Sequence, residues 1–214
     1  MTDQLKKWMG EFGDDYTDRC MPDDKMINDR TMFWSGILAM ISPLGNDPPK
    51  RILEVGSNVG ANLLAIDKVY SAFDMPVSLY YNEPNKKARE ILDQQPIRSK
   101  NEVMGNLQSL ECNDGHVDTV ITCGVLIHVH PDNLYAAMRE VYRVSSKYIV
   151  CAEYFSPEPR EILYRGSSNM LWSRDFGSEW IDKFPGMRCV GYSFAWKRMT
   201  GMDNLVVWVF QKVN

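Results

Sequence analysis

The segment Arg51–Leu64, RILEVGSNVGANLL, constrains the fold of this 214-residue chain more than any other. A short apolar run meets a glycine, and a second glycine four residues later opens an amphipathic stretch. Strand, glycine turn and helix in that order make the first part of a βαβ unit, and the turn is where backbone can approach a ligand closely. The pattern then recurs. PVSLYYNE and PNKKAREILDQ read as a second strand and helix, with Pro84 near the helix start. NEVMGN reads as a short third strand. DTVITCGV, PDNLYAAMREVYRV and KYIVCAEYF follow as strand, helix opening on Pro131, and strand. Such alternation implies a parallel sheet covered on both faces. MRCVGYSFAW and NLVVWVFQK come last with only the turn MTGMD between them, so they are expected to pair antiparallel.

The residues ahead of Arg51 have a different character. Gly10–Lys25 is acidic and reads as turn-rich, and Asp29–Ile41 carries a helical apolar pattern. SPLGNDPPK is a Pro/Gly/Asn break. It predicts a helical extension over 1–48 and a main domain over 49–214.

Composition narrows the function classes. Hydrophobic residues at 44% and charged residues at 24% describe an ordinary globular chain of one domain with a small appendage. A net charge of -4 argues against a nucleic-acid binder, which needs a basic surface. The longest apolar runs, such as LVVWVF, are too short to span a bilayer, and the first fifteen residues lack the apolar region of a signal peptide. The five cysteines are odd in number and hold no CxxC pair; Cys123 and Cys151 sit in strand-like runs and read as buried thiols. A cytoplasmic protein without a disulfide framework is expected. His116, His128 and His130 lack matching partners, so no metal is expected. The partners expected are a small-molecule substrate, no nucleic acid and no membrane, with the chain a monomer or weak homodimer. Aromatic residues make up 11% of the chain, more than an average core demands.

Four loops at strand ends carry the binding chemistry. Glu54 closes the first strand, and Gly56, Ser57, Asn58 and Gly60 form the turn. Asn58 breaks the three-glycine dinucleotide fingerprint, and ExGxxxG fits S-adenosylmethionine loops better, with the acid orienting the loop and the amino-acid end of the cofactor. Glu83, followed by Pro84, ends the second strand, where a carboxylate can accept bonds from two ribose hydroxyls. Asn106 and Leu107 follow the third strand near the expected adenine position. Cys123, Gly124 and His128 lie after the fourth, at the edge where open α/β sheets bind ligands.

These pieces resemble class I S-adenosylmethionine-dependent methyltransferases and, more narrowly, the pseudaminic acid biosynthesis-associated methylases. The matching segments are FGDDYTDR (12–19), ILEVGSNVGANL (52–63), NEPNKKA (82–88), GVLIHVHP (124–131), AEYFSPEPREILYRG (152–166), RDFGSEW (174–180) and LVVWVFQK (205–212). The resemblance implies a Rossmann-like α/β sheet of seven strands, mostly parallel with a C-terminal antiparallel hairpin, plus an N-terminal helical lid. It implies S-adenosyl-L-methionine as cofactor and S-adenosyl-L-homocysteine as product. Gly56, Ser57, Asn58, Gly60, Asn62, Glu83, Asn106 and Leu107 would bind the cofactor, and Tyr16, Thr17 and Arg19 would form the lid, with Arg19 also reaching the cofactor. Two positions depart from the family's pattern: Cys20 stands where an Asn is expected, and MTGMD lacks an early acid.

Methyl transfer needs an aligned nucleophile and exclusion of water. Glu153, His128 and Asp175 are candidate general bases, in that order. Arg165 and Arg174 are candidate clamps for a carboxylate or phosphate, with ion pairing at the surface as the alternative. Tyr16, Trp34, Tyr154, Tyr164 and Trp172 are candidate walls of an acceptor enclosure, or core residues. The acceptor expected is a small polar molecule, amino-sugar-like, nonulosonic-acid-like or amino-acid-like, methylated on N or O. An NAD(P)-dependent oxidoreductase is the first rival, opposed by Asn58 and the reversed hairpin. A non-catalytic cofactor-binding partner protein is the second, and an RNA methyltransferase is opposed by the acidic balance.

Overall fold

A computed structural model describes residues 2–42 and 47–213. Part of the predicted break Ser42–Lys50, residues 43–46, lies outside the described residues. Seven strands form one sheet: β1 (Arg51–Val55), β2 (Ser78–Asn82), β3 (Lys100–Glu102), β4 (Val117–Cys123), β5 (Ser145–Glu153), β6 (Met187–Ala195) and β7 (Leu205–Lys212). Their spatial order is β6-β7-β5-β4-β1-β2-β3. The first five run parallel, and β7 is antiparallel to both β5 and β6. The expected antiparallel hairpin is present, and β7 inserts between β6 and β5.

Helices cover both faces. Trp34, Ile37 and Ile41 of α3 (Asp24–Ile41) pack with Leu63, Ile66 and Tyr70 of α4 (Ala61–Ala72), and with Leu92 of α5 (Lys86–Gln94), over one face. Leu134, Met138 and Val141 of α6 (Pro131–Val144), with Trp180 of α7 (Phe176–Lys183), cover the other. With both faces covered, β1 and β4 are buried almost throughout rather than at alternate residues.

The N-terminal extension is more helical than its sequence suggests. α2 (Glu11–Arg19) occupies the stretch read as turn-rich, α1 (Asp3–Met9) precedes it, and α3 begins five residues ahead of Asp29, capped by Asp23 accepting from Met26 N–H. Acidic residues favour turns locally, but α2 gains tertiary partners: Gly13 and Thr17 are buried, and Phe12 and Tyr16 meet the ring of Trp8 edge-on. α3 belongs to a covering layer, whereas α1 and α2 lie across the carboxyl ends of the strands. A four-residue helix, α8 (Lys197–Thr200), replaces part of the expected terminal turn.

Candidate functional site

The carboxyl edge of the sheet opens into a cavity of about 270 Å³. Its floor is the glycine turn after β1. Gly56 and Gly60 both hold positive φ, 67° and 78°. A Cβ on Gly56 would sit 2.6 Å from Val125 Cγ2, and one on Gly60 would sit 2.9 Å from Leu92 Cγ, so glycine is needed for shape as well as backbone angle. Gly56 lines the cavity, and Gly60 instead caps α4 against α5.

The cavity's first end is built from charges that hold one another through amides. Asn62 donates to Glu54 Oε1 at 2.7 Å and accepts from Arg30 Nη1 at 2.9 Å and Trp34 Nε1 at 3.1 Å. Glu83 accepts the backbone N–H of Asn58 and of Asn85, each at 2.8 Å, tying the first loop to the second. Burial pushes Glu54 up to about 7, against the pull of the Asn62 amide and the Arg30 charge. Burial also raises Glu83, opposed by its two backbone bonds.

The second end is aromatic. Trp8 of α1 lies edge-on to His128 at 4.7 Å between ring centroids, and Tyr164 lies 5.1 Å from the same ring. His128 Nδ1 is 2.7 Å from the Met170 carbonyl, which accepts its proton and leaves Nε2 with the lone pair. Burial drives His128 down to about 4, so the ring is neutral at physiological pH. Tyr154 O–H donates to Asp203 at 2.7 Å. Asp203 reaches this edge because β7 runs antiparallel to β5, with Val206 opposite Glu153, so the β6–β7 connection returns to the strand ends.

The sequence-predicted residues divide by placement. Glu54, Gly56, Ser57, Asn58, Asn62, Glu83, Pro84, Asn106, Leu107, Cys123, Gly124, His128, Tyr16, Tyr154 and Tyr164 all line the cavity. Others stand elsewhere for clear physical reasons. Glu153 is fully buried, and its carboxylate accepts the backbone N–H of Val125, Leu126 and Ile127, so it anchors the loop after β4 rather than facing the cavity. Asp175 caps α7, accepting from Ser178 N–H at 3.0 Å. Arg174 pairs with Glu179 at 3.3 Å, and Arg165 is exposed with its guanidinium 5.8 Å from the Tyr164 centroid. Trp34 is a core residue that supports Asn62, Trp172 is buried edge-on to His130, and Arg19 is exposed beside Tyr16. Trp8, Arg30 and Asp203 line the cavity and escaped sequence reasoning. Each is brought in by packing between distant segments, and none belongs to a spaced motif.

Sheet order, glycine turn and acid-tipped second strand define a class I S-adenosylmethionine-dependent methyltransferase fold. Residues 53–148 match the family model described as a methyltransferase domain. The structure is similar to magnesium protoporphyrin IX methyltransferase from Synechocystis PCC 6803 solved with bound SAH (TM-score 0.69, 15% identity, covering 97% of this chain and 98% of that one). It is similar to 1,6-didemethyltoxoflavin-N1-methyltransferase of Burkholderia thailandensis (TM-score 0.65, 13% identity, 98% and 86%). A [4+2]-cyclase also shares the fold (TM-score 0.60, 11% identity, 86% and 80%), so fold alone does not set the reaction. A search of curated protein sequences finds no match.

The cofactor of this fold is S-adenosylmethionine, and the cavity's own atoms fit its amino-acid end. Among the described residues, Arg30 Nε, Glu54 Oε2 and Ser57 Oγ are buried side-chain atoms with no hydrogen-bond partner. All three residues line the glycine-loop end. An orphaned cationic donor and an orphaned anionic acceptor, linked through Asn62, complement a zwitterion: Arg30 would meet its carboxylate and Glu54 its ammonium. Glu83 would meet the ribose, and Asn106 and Leu107 the base.

Among the described residues, no group of three His, Cys, Asp or Glu side chains is placed to hold a metal, and no helix is long and apolar enough to cross a membrane.

Proposed function

We propose that this protein is an S-adenosylmethionine-dependent methyltransferase acting on a small acceptor through a nitrogen or oxygen atom. The observation that carries the reading is the orphaned Arg30–Glu54 pair beside Glu83 at the carboxyl edge of a methyltransferase-type sheet. The sequence resemblance to the pseudaminic acid biosynthesis-associated methylases supports a polar, amino-sugar-like acceptor.

When bound, the cofactor supplies a methyl group activated by a sulfonium. The chain's residues do the rest. Glu54 and Glu83 place two acidic groups beside a cationic ligand, which a buried site would otherwise disfavour. Trp8 and Tyr16 of the helical cover, packed edge-on at 5.5 Å, shut water from the reacting atoms. His128, neutral with its Nε2 lone pair free, accepts a hydrogen bond from the acceptor's N–H or O–H and orients its nucleophile.

Calorimetric titration with S-adenosylhomocysteine and with NAD tests the reading. S-adenosylhomocysteine binding that Arg30→Ala weakens by about tenfold or more supports it. Binding of NAD without S-adenosylhomocysteine overturns it.

A further inference from the structure

We propose that the aromatic end of the cavity is an acceptor subsite for an amine, with Asp203 as the anchor of its ammonium and Tyr16, Tyr154 and Tyr164 as its walls. The inference rests on the methyltransferase reading and deepens it.

Charge distribution comes first. Among the described lining residues, Arg30 is the one Lys or Arg side chain, and its bond to Asn62 commits it to the glycine-loop end. At the other end the formal charge is that of Asp203. Arg165 and Arg174, the cations that would have clamped a carboxylate or phosphate, stand outside the lining. An anionic acceptor would therefore meet a carboxylate whose one paired cation, Lys197, stands outside the lining. Asp203 is held charged by Tyr154 O–H at 2.7 Å and by Lys197 Nζ at 3.0 Å from the solvent side. Two donors leave lone pairs over, since a carboxylate offers about four acceptor sites. Asp203 lines the same cavity as His128, Tyr16, Tyr154 and Tyr164, which places it at the aromatic end. Tyrosine faces add attraction for a cation.

Proton chemistry points the same way. A hydroxyl acceptor needs a base to raise its nucleophilicity. His128 is too weak a base, and the Glu153 oxygens are occupied by three backbone N–H groups. An amine needs only to lose its extra proton, which passes to water at the exposed Asp203 mouth. The freed nitrogen lone pair forms the new N–C bond. The C–S bond breaks with its electron pair going to sulfur. The methylated product is again an ammonium, which loses a proton to water.

The test is calorimetry on the full chain saturated with S-adenosylhomocysteine, using benzylamine, benzyl alcohol and benzoate as probes near neutral pH. Benzylamine is expected to bind about tenfold or more tighter than the alcohol, with benzoate weakest. Asp203→Asn is expected to remove that preference for the amine, and its S-adenosylhomocysteine affinity checks that it is folded. Lys197→Ala is a second variant, expected to strengthen benzylamine binding by freeing Asp203. Equal or tighter binding of benzoate, no benzylamine binding, or an unchanged amine preference in Asp203→Asn overturns the proposal. Failure of the wild-type chain to bind S-adenosylhomocysteine overturns instead the methyltransferase reading beneath it.

Discussion

Glu54 should make cofactor binding release a proton. Burial raises its pKa to about 7, with Glu83 adding to the rise and Asn62 and Arg30 opposing it. In the free protein at neutral pH it is therefore a mixture of acid and carboxylate. The cofactor's ammonium prefers the carboxylate, so binding should pull the value well down once the orphaned Oε2 gains that partner. Linkage then sets the size of the effect. Affinity near pH 6 should be about tenfold weaker than near pH 8, roughly 1.4 kcal/mol, and about half a proton should leave per binding event near pH 7. The sign for stability runs the other way. A carboxyl raised above its ordinary 4.5 stabilises the fold fully at low pH and loses that contribution as pH rises through about 7. Glu54 thus weakens the ligand-free protein near pH 8 and lets ligand restore it. Titrations in buffers of different ionisation enthalpy give the proton number directly, and Glu54→Gln should abolish both the release and the pH slope. The reasoning is refuted if wild-type affinity is flat between those pH values, or if Glu54→Gln keeps the slope.

Three other outcomes follow from the same geometry. His128 should show no titration by NMR across the ordinary histidine range, because burial holds it near 4; its contribution to stability is complete above about 6.5 and is lost as pH falls toward 4, so a midpoint near neutrality would contradict the buried, Met170-bonded ring. Glu153→Ala should cost about 3–5 kcal/mol and lower the melting temperature by roughly 10 °C, since three backbone N–H groups, two of them buried, lose their acceptor, while Asp175→Ala should cost only about 1 kcal/mol as a lost helix cap. Equal losses in those two variants would mean the loop after β4 is held by something else. Gly13→Ala places a Cβ 1.8 Å from the Trp8 carbonyl and should unseat α1, weakening S-adenosylhomocysteine binding with little change in melting temperature because α1 buries no residue completely; calorimetry and a melting curve measure the two effects, and unchanged affinity would show that the helical cover contributes nothing to the site.

The cavity's two ends were unequally legible in the sequence, and the reason is physical. Glu54, Gly56, Asn58 and Glu83 sit in strand–turn–helix units, where local backbone demands and nearby positions fix both the fold and the site. A linear pattern therefore carries them. The aromatic end has no such local logic. Even at the glycine-loop end, Arg30 escapes the pattern because it enters only where α3 packs on α4, which brings it to Asn62 across 32 positions. Asp203 enters because β7 inserts between β6 and β5 and carries its preceding turn to the strand ends. Trp8 enters because Asn85 Nδ2 donates to the Trp8 carbonyl at 3.1 Å and to Asp14 at 2.8 Å, docking the helical cover. Residue type alone misleads in such a region. Arg165, Arg174, Glu153 and Asp175 have the chemistry of clamps and bases, yet solvent, an ion pair, a loop and a helix cap hold their charged groups. Their displacement changes what the acceptor should be. With both guanidinium groups outside the lining and Asp203 inside it, the electrostatics favour a cationic amine over the acid-bearing sugar that the bare sequence left open.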